Sequence, residues 1–189
     1  MNQYISLAKL AVETYVKEGR VLKNSPKSLA KDFLERRAGV FVSIFRSPHR
    51  TDAEQKRRTD AEKELRGCVG TYLPTEDNIA REIIQSAVAV ASQDYRFGPI
   101  QKDELSHLSY TVYILGKPEL ISGLDALDPK IYGVIVKSLD FPRKTGLLLP
   151  DLDGVNTSQE QISIACQKAG INTSQESTAV YRFKVEKYE

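Results

Sequence analysis

Apolar residues recur at helical spacing from the start of the chain. Ile5, Ala8, Val12 and Tyr15 fall on one face with Leu7, Leu10 and Ala11 beside them, while Lys9, Glu13 and Lys17 fall elsewhere. Residues 2–18 are therefore predicted to form an amphipathic helix, stopped by Gly19. A shorter helix is expected over 27–37 around Leu29, Phe33 and Leu34, ending at the Arg36–Arg37 pair and Gly39. The period then changes. Residues 39–46 and 65–73 are rich in β-branched and aromatic side chains and predict two strands. Between them, 47–64 is almost without apolar residues, so the strands are expected to pair antiparallel with a charged hairpin projecting into water.

After a turn at 74–78, residues 78–93 carry a broad apolar stripe of Ile79, Ile83, Ile84, Ala87, Val88 and Ala91. That stripe predicts a helix lying on a sheet, with Asp77 or Thr75 as its cap. Residues 94–99 form a tight connection, and 108–115 alternate as a strand bounded by Gly116 and Pro118. A second hairpin is expected from 131–136 and 146–149, turning near 141–144. A helix over 158–168 stops at Gly170, and 181–185 form a closing strand. Helices and strands mix without a regular βαβ repeat. The pattern is that of an α+β fold, a mostly antiparallel sheet covered by helices, with no linker dividing the chain.

The chain has 189 residues, enough for one well-buried domain, and its 27 basic and 25 acidic side chains give a formal charge of +2. That balance argues against nucleic acid or an anionic membrane as the main partner. No apolar run approaches the roughly 20 residues that span a bilayer, and the first residues lack the pattern of a signal peptide. The expected location is the cytoplasm. Cys68 and Cys166 lie far apart, and with His49 and His107 they make no metal-ligand spacing. Neither a disulfide nor a metal or other cofactor is expected.

The string Leu65-Arg66-Gly67-Cys68-Val69-Gly70 is the most distinctive in the chain. Glycines flanking a strand cysteine let another backbone or a ligand approach closely, which makes Gly67 and Gly70 candidate binding positions. By strand alternation Arg66 lies on the same side as Cys68, where its charge would favour thiolate and make Cys68 a nucleophile. Equally, Cys68 is a small buried hydrophobe and the glycines mark a bulge. A Cys–His dyad would need His49 or His107, and neither sits in a local signature. Arg96 and Phe97 are candidates for a pocket edge, or Arg96 ties down its loop through carbonyls. Lys144 is a candidate anion ligand, or a solvated turn lysine.

On Leu65–Gly70 the sequence resembles the AMME chromosomal region protein family, called AmmeMemoRadiSam system protein A in prokaryotes. The likeness continues through Asp94-Tyr-Arg96-Phe97-Gly-Pro99, Gly133-Val134, 146–150, 166–170 and Tyr181-Arg182-Phe183, and so covers 39–187 in order. The resemblance implies an α+β fold with a main sheet and a smaller lobe. It also implies a link to Memo-like and radical-SAM proteins. The chain has Tyr132 where the family often has His, Thr111 where it has an acid, and Asp151 where it has Gln. Two functions follow. One is a ligand-binding or accessory protein whose cleft near the signature receives a peptide or small ligand. The other is a cysteine-dependent enzyme or subunit using Cys68.

Overall fold

The computed structural model describes residues 2–23, 29–47 and 63–189. Most of the segment expected to project as a charged hairpin, 48–62, lies outside the described residues, as does the start of the helix expected from 27. The chain divides into two compact units, residues 1–114 with 187–189 and residues 115–186. The second unit is thus an insertion between two strands of the first.

In the first unit, α1 (Gln3–Glu18) begins at Asn2, whose side chain accepts from the Tyr4 N–H, and ends at Gly19 with φ of 69°. It buries Ile5, Leu7, Ala8, Ala11 and Val12, whereas Leu10 is left exposed. α2 (Lys31–Glu35) is a single short turn holding Phe33 in the core. β1 (Val40–Arg46) and β2 (Glu64–Gly70) pair antiparallel, as their composition predicts. α3 (Ile79–Gln93) starts at Asn78, whose Oδ1 accepts from the Arg81 N–H, so the cap is neither Asp77 nor Thr75. β3 (Leu108–Leu115) follows, and β8 (Val185–Tyr188) completes a sheet of order β2-β1-β3-β8.

β1 sits between two neighbours, and its alternation sorts the sheet into two faces. Val40, Val42 and Ile44 are fully buried beneath α1 and α3, with Val112 and Ile114 of β3 beside them. Each such side chain contributes roughly 1.5–3 kcal/mol by leaving water. Phe41, Ser43 and Phe45 point to the opposite face.

The second unit holds β4 (Glu119–Leu120), β5 (Gly133–Ser138), β6 (Thr145–Leu148) and β7 (Thr178–Phe183) in the order β4-β7-β5-β6, all antiparallel. α4 (Ser158–Ala169) covers β5 and β6, opened by a Thr157–Glu160 capping box and closed by Gly170 at φ 64°. Cys166 lies in this core with Val134, Val136, Leu148 and Ala165. The closing strand expected over 181–185 is instead two strands, β7 and β8, in different sheets. Periodicity cannot see that break, because Lys184 interrupts the pairing rather than the apolar pattern. The two-residue β4 was also not expected.

Candidate functional site

The signature occupies β2, an edge strand, and most of it builds the fold. Gly67 faces α3, where a Cβ would come within 2.8 Å of Val90 Cγ1. At Gly70 a Cβ would lie 2.1 Å from the Val40 carbonyl oxygen, so the β1 backbone itself occupies the space. The register slips between Ile44 and Phe45, which oppose Gly67 and Leu65 and leave Arg66 as an extra residue. That bulge breaks the alternation expected to set Arg66 beside Cys68. The Arg66 guanidinium is buried and reaches the segment after α3. It donates to both carboxylate oxygens of Glu104 and to the carbonyls of Gly98 and Pro99. Arg66 in turn holds the Glu104 carboxyl below its ordinary pKa.

The outward backbone edge at Cys68 is met by side chains in place of a neighbouring strand. Asp94 Oδ2 accepts the Cys68 N–H at 2.8 Å, and Arg96 donates to the Cys68 carbonyl at 3.2 Å. Arg96 also grips Asp94 through two bonds of 2.9 and 2.7 Å. Its guanidinium, foremost by hydrogen bonding, keeps the buried Asp94 carboxyl below its usual pKa, against the desolvation that would raise it. This ion pair caps the edge strand at the signature cysteine and blocks further strand pairing there. It also gives the Asp94–Pro99 string its physical meaning: the chain turns at Gly98, φ 70°, to bring Arg96 back over Cys68.

The Cys68 side chain projects to the face opposite α3 and is half-buried. Ser43, directly across on β1, donates from Oγ to Sγ at 3.2 Å. Thr111 stands across Ser43 on β3, so the thiol and two hydroxyls form one transverse row over three strands. Tyr113, two positions along β3 from Thr111, lies on the same face, and burial holds its phenol above the ordinary pKa. Arg96 is a positive charge held at the Cys68 backbone. Arg96 remains partly exposed and lies 5.2 Å from the Phe97 ring centroid, and it meets Cys68 at the backbone carbonyl.

His107 ends the turn that precedes β3, four positions along from Thr111, and His49 lies outside the described residues. Among the described residues, no group of three His, Cys, Asp or Glu is arranged to hold a metal. Sequence reasoning missed Glu82. It is 1% exposed on α3 and accepts from Thr71 Oγ1, Thr75 Oγ1 and the N–H groups of Thr75 and Glu76. The threonines on either side of Pro74 were the available signal.

Lys144 belongs to the second unit, where it donates to the Gly170 carbonyl and to Glu176, both at 2.7 Å. Glu176 also accepts from the Asn172 N–H and from Ser138, and these donors, the Asn172 amide foremost, hold its carboxyl at about 2. A carboxyl depressed on folding stabilises the fold fully above its unfolded value of 4.5 and loses that contribution as pH falls through about 2. Acid titration of folding between those limits is expected to be shallower in Glu176→Gln. An unchanged acid limb would refute the linkage. Also in this unit, the Arg182 guanidinium and the Lys184 ammonium lie 4.5 and 5.7 Å from the Tyr132 ring centroid, and Asp151 pairs with Lys130 at 3.5 Å.

The AMMECR1 family matches residues 5–188, which takes the likeness into α1 as well. A Thermotoga maritima protein is 42% identical over 99% of this chain and 97% of its own length. A Clostridium acetobutylicum protein is 38% identical over 99% of this chain, which spans only 36% of that relative. The crystal structure of an uncharacterized protein from Pyrococcus horikoshii superposes with a TM-score of 0.80 at 29% identity, covering 97% of this chain and 88% of the other. With its signature strand, its edge clamp and these relatives in accord, the chain belongs to the AMMECR1 family.

Proposed function

We propose that this chain is a ligand-binding or accessory module whose working surface is the sheet face carrying Cys68. One observation carries this reading. Gly67, Gly70, Arg66, Asp94 and Arg96 each have a fold-building partner, and together they fix one half-buried thiol beside Ser43 and Tyr113. The ligand class is a small polar molecule or peptide group that meets a thiol and hydroxyls. Memo-like and radical-SAM proteins are the proposed partners, and the greater length of the Clostridium relative supports work alongside a further protein segment.

A second reading, a cysteine-dependent enzyme or subunit using Cys68 as nucleophile, is favoured by the Ser43 hydroxyl bond to Sγ, since a donor to sulfur stabilises thiolate. Both readings require Cys68 to be reachable. Native protein treated with iodoacetamide at neutral pH is expected to label Cys68 well before Cys166, whose buried thiol has a raised pKa. Equal protection of both cysteines until denaturation would remove the Cys68 face as a site. Catalysis is separated from binding by turnover: stoichiometric capture without release of product leaves the accessory reading.

A further inference from the structure

Within the second unit, α4 and the chain that follows it frame a groove of about 790 Å³. Its floor is Cys166 and Ile171, 4% and 7% exposed, with Ile162 half-buried beside them and Leu124 exposed at the rim. Gln159, Ser163 and Gln167 line it at intervals of four residues, so they share one face of α4 over two turns. The volume falls within the range of about 300–1,000 Å³ usual for binding sites.

Charge is missing from this groove. Asp, Glu, Lys and Arg make up 28% of the chain and favour its surface, yet none among the described residues lines the groove. Gln159, Ser163 and Gln167 are exposed, and their side chains bond to no other described residue. Amides and hydroxyls both donate and accept, so the row offers both halves of a hydrogen-bond pair. An ion placed here would give up hydration without finding a counter-charge. A peptide group, with one donor and one acceptor, matches the row. From Gln159 to Gln167 the helix rises about 12 Å, the reach of roughly four residues of extended chain.

We propose that this groove binds a short extended segment of uncharged peptide, at a second site that does not depend on the Cys68 face. The amides of the segment pair with the Gln159–Ser163–Gln167 row. Side chains alternate along an extended chain, so every second one turns down onto Ile162, Cys166 and Ile171 and displaces water there. Leu124, 43% exposed when the groove is empty, gains apolar cover from the same side chains.

The test is titration of the intact, isotopically labelled chain with two sets of acetyl- and amide-capped tetrapeptides, followed by NMR. The first set is built from Gly, Ala, Leu, Ser and Gln, and the second carries Glu or Lys at one central position. The neutral set is expected to shift the backbone amides of 159–173 selectively and to bind at least about tenfold tighter than the charged set. A double variant, Gln159→Ala with Gln167→Ala, removes two hydrogen-bonding partners while favouring helix, so the fold is kept. It is expected to weaken binding of the neutral set about tenfold. Unchanged affinity in that variant, equal binding of the charged set, or unmoved amides over 159–173 at millimolar peptide overturns the proposal. Shifts there that grow with protein concentration alone assign the groove to a second copy of the chain, and overturn it too. Iodoacetamide labelling of Cys68 is read separately, so the loss of either site leaves the other standing.

Discussion

Replacing Glu82 by alanine is expected to destabilise the chain by about 3–5 kcal/mol, seen as a lower urea midpoint at unchanged slope. The carboxylate is 1% exposed, and the loop after β2 is folded around it. Two backbone amides and two threonine hydroxyls donate to it at 2.7–2.8 Å. Alanine would leave all four donors without an acceptor inside the protein, and each stranded donor costs about 1–3 kcal/mol unless water enters. Glu82→Gln keeps one acceptor oxygen but turns an NH2 toward donors, so about half the loss is expected. A midpoint within experimental error of wild type for Glu82→Ala would mean that the loop does not depend on this anchor.

Gly70→Ala is expected to be comparably damaging, at about 3 kcal/mol or more, while Gly67→Ala in the same strand should cost only about 1–2 kcal/mol. The distinction rests on what the new methyl meets. At Gly70 it would overlap the Val40 carbonyl oxygen at 2.1 Å and the Phe41 Cα at 2.5 Å, and backbone in a central strand cannot move aside. At Gly67 the first atom met is Val90 Cγ1 at 2.8 Å, part of a side chain that can rotate. Thermal unfolding of the two variants side by side decides the matter. The reverse order would show that α3 packs on β2 more rigidly than β1 does.

Elements whose burial is set by their own periodicity were visible in the amino-acid pattern. α1, α3 and α4 show it, as do β1, β2 and β3, because a 3.6 or 2.0 period follows directly from which face meets the core. Features decided by a distant partner were not. A glutamate in the first turn of α3 looks like an ordinary helix-dipole residue until Thr71 and Thr75 fold onto it. Arg66 looks like a companion of Cys68 until the bulge turns it toward Glu104, 38 residues away. The division at Ile114 and Lys187 left no composition signal either, since each crossing falls at or within a strand. Within the site, Cys68, Arg96 and Phe97 were legible from their motifs, whereas Ser43 and Tyr113 became partners only through strand register.

The insertion of the second unit also fixes how the molecule would bear load. Tyr4 of α1 stacks on Tyr188 of β8, ring centroids 4.0 Å apart, so the two ends of the described chain are fastened within the first unit. Traction applied at Gln3 and Tyr188 would run through that fastening and bypass residues 115–186 altogether. The inserted unit is mechanically silent until β8 peels away. At its own entrance the Gly116 N–H grips the Lys184 carbonyl at 2.8 Å, a clasp that would meet force only after the outer one has opened.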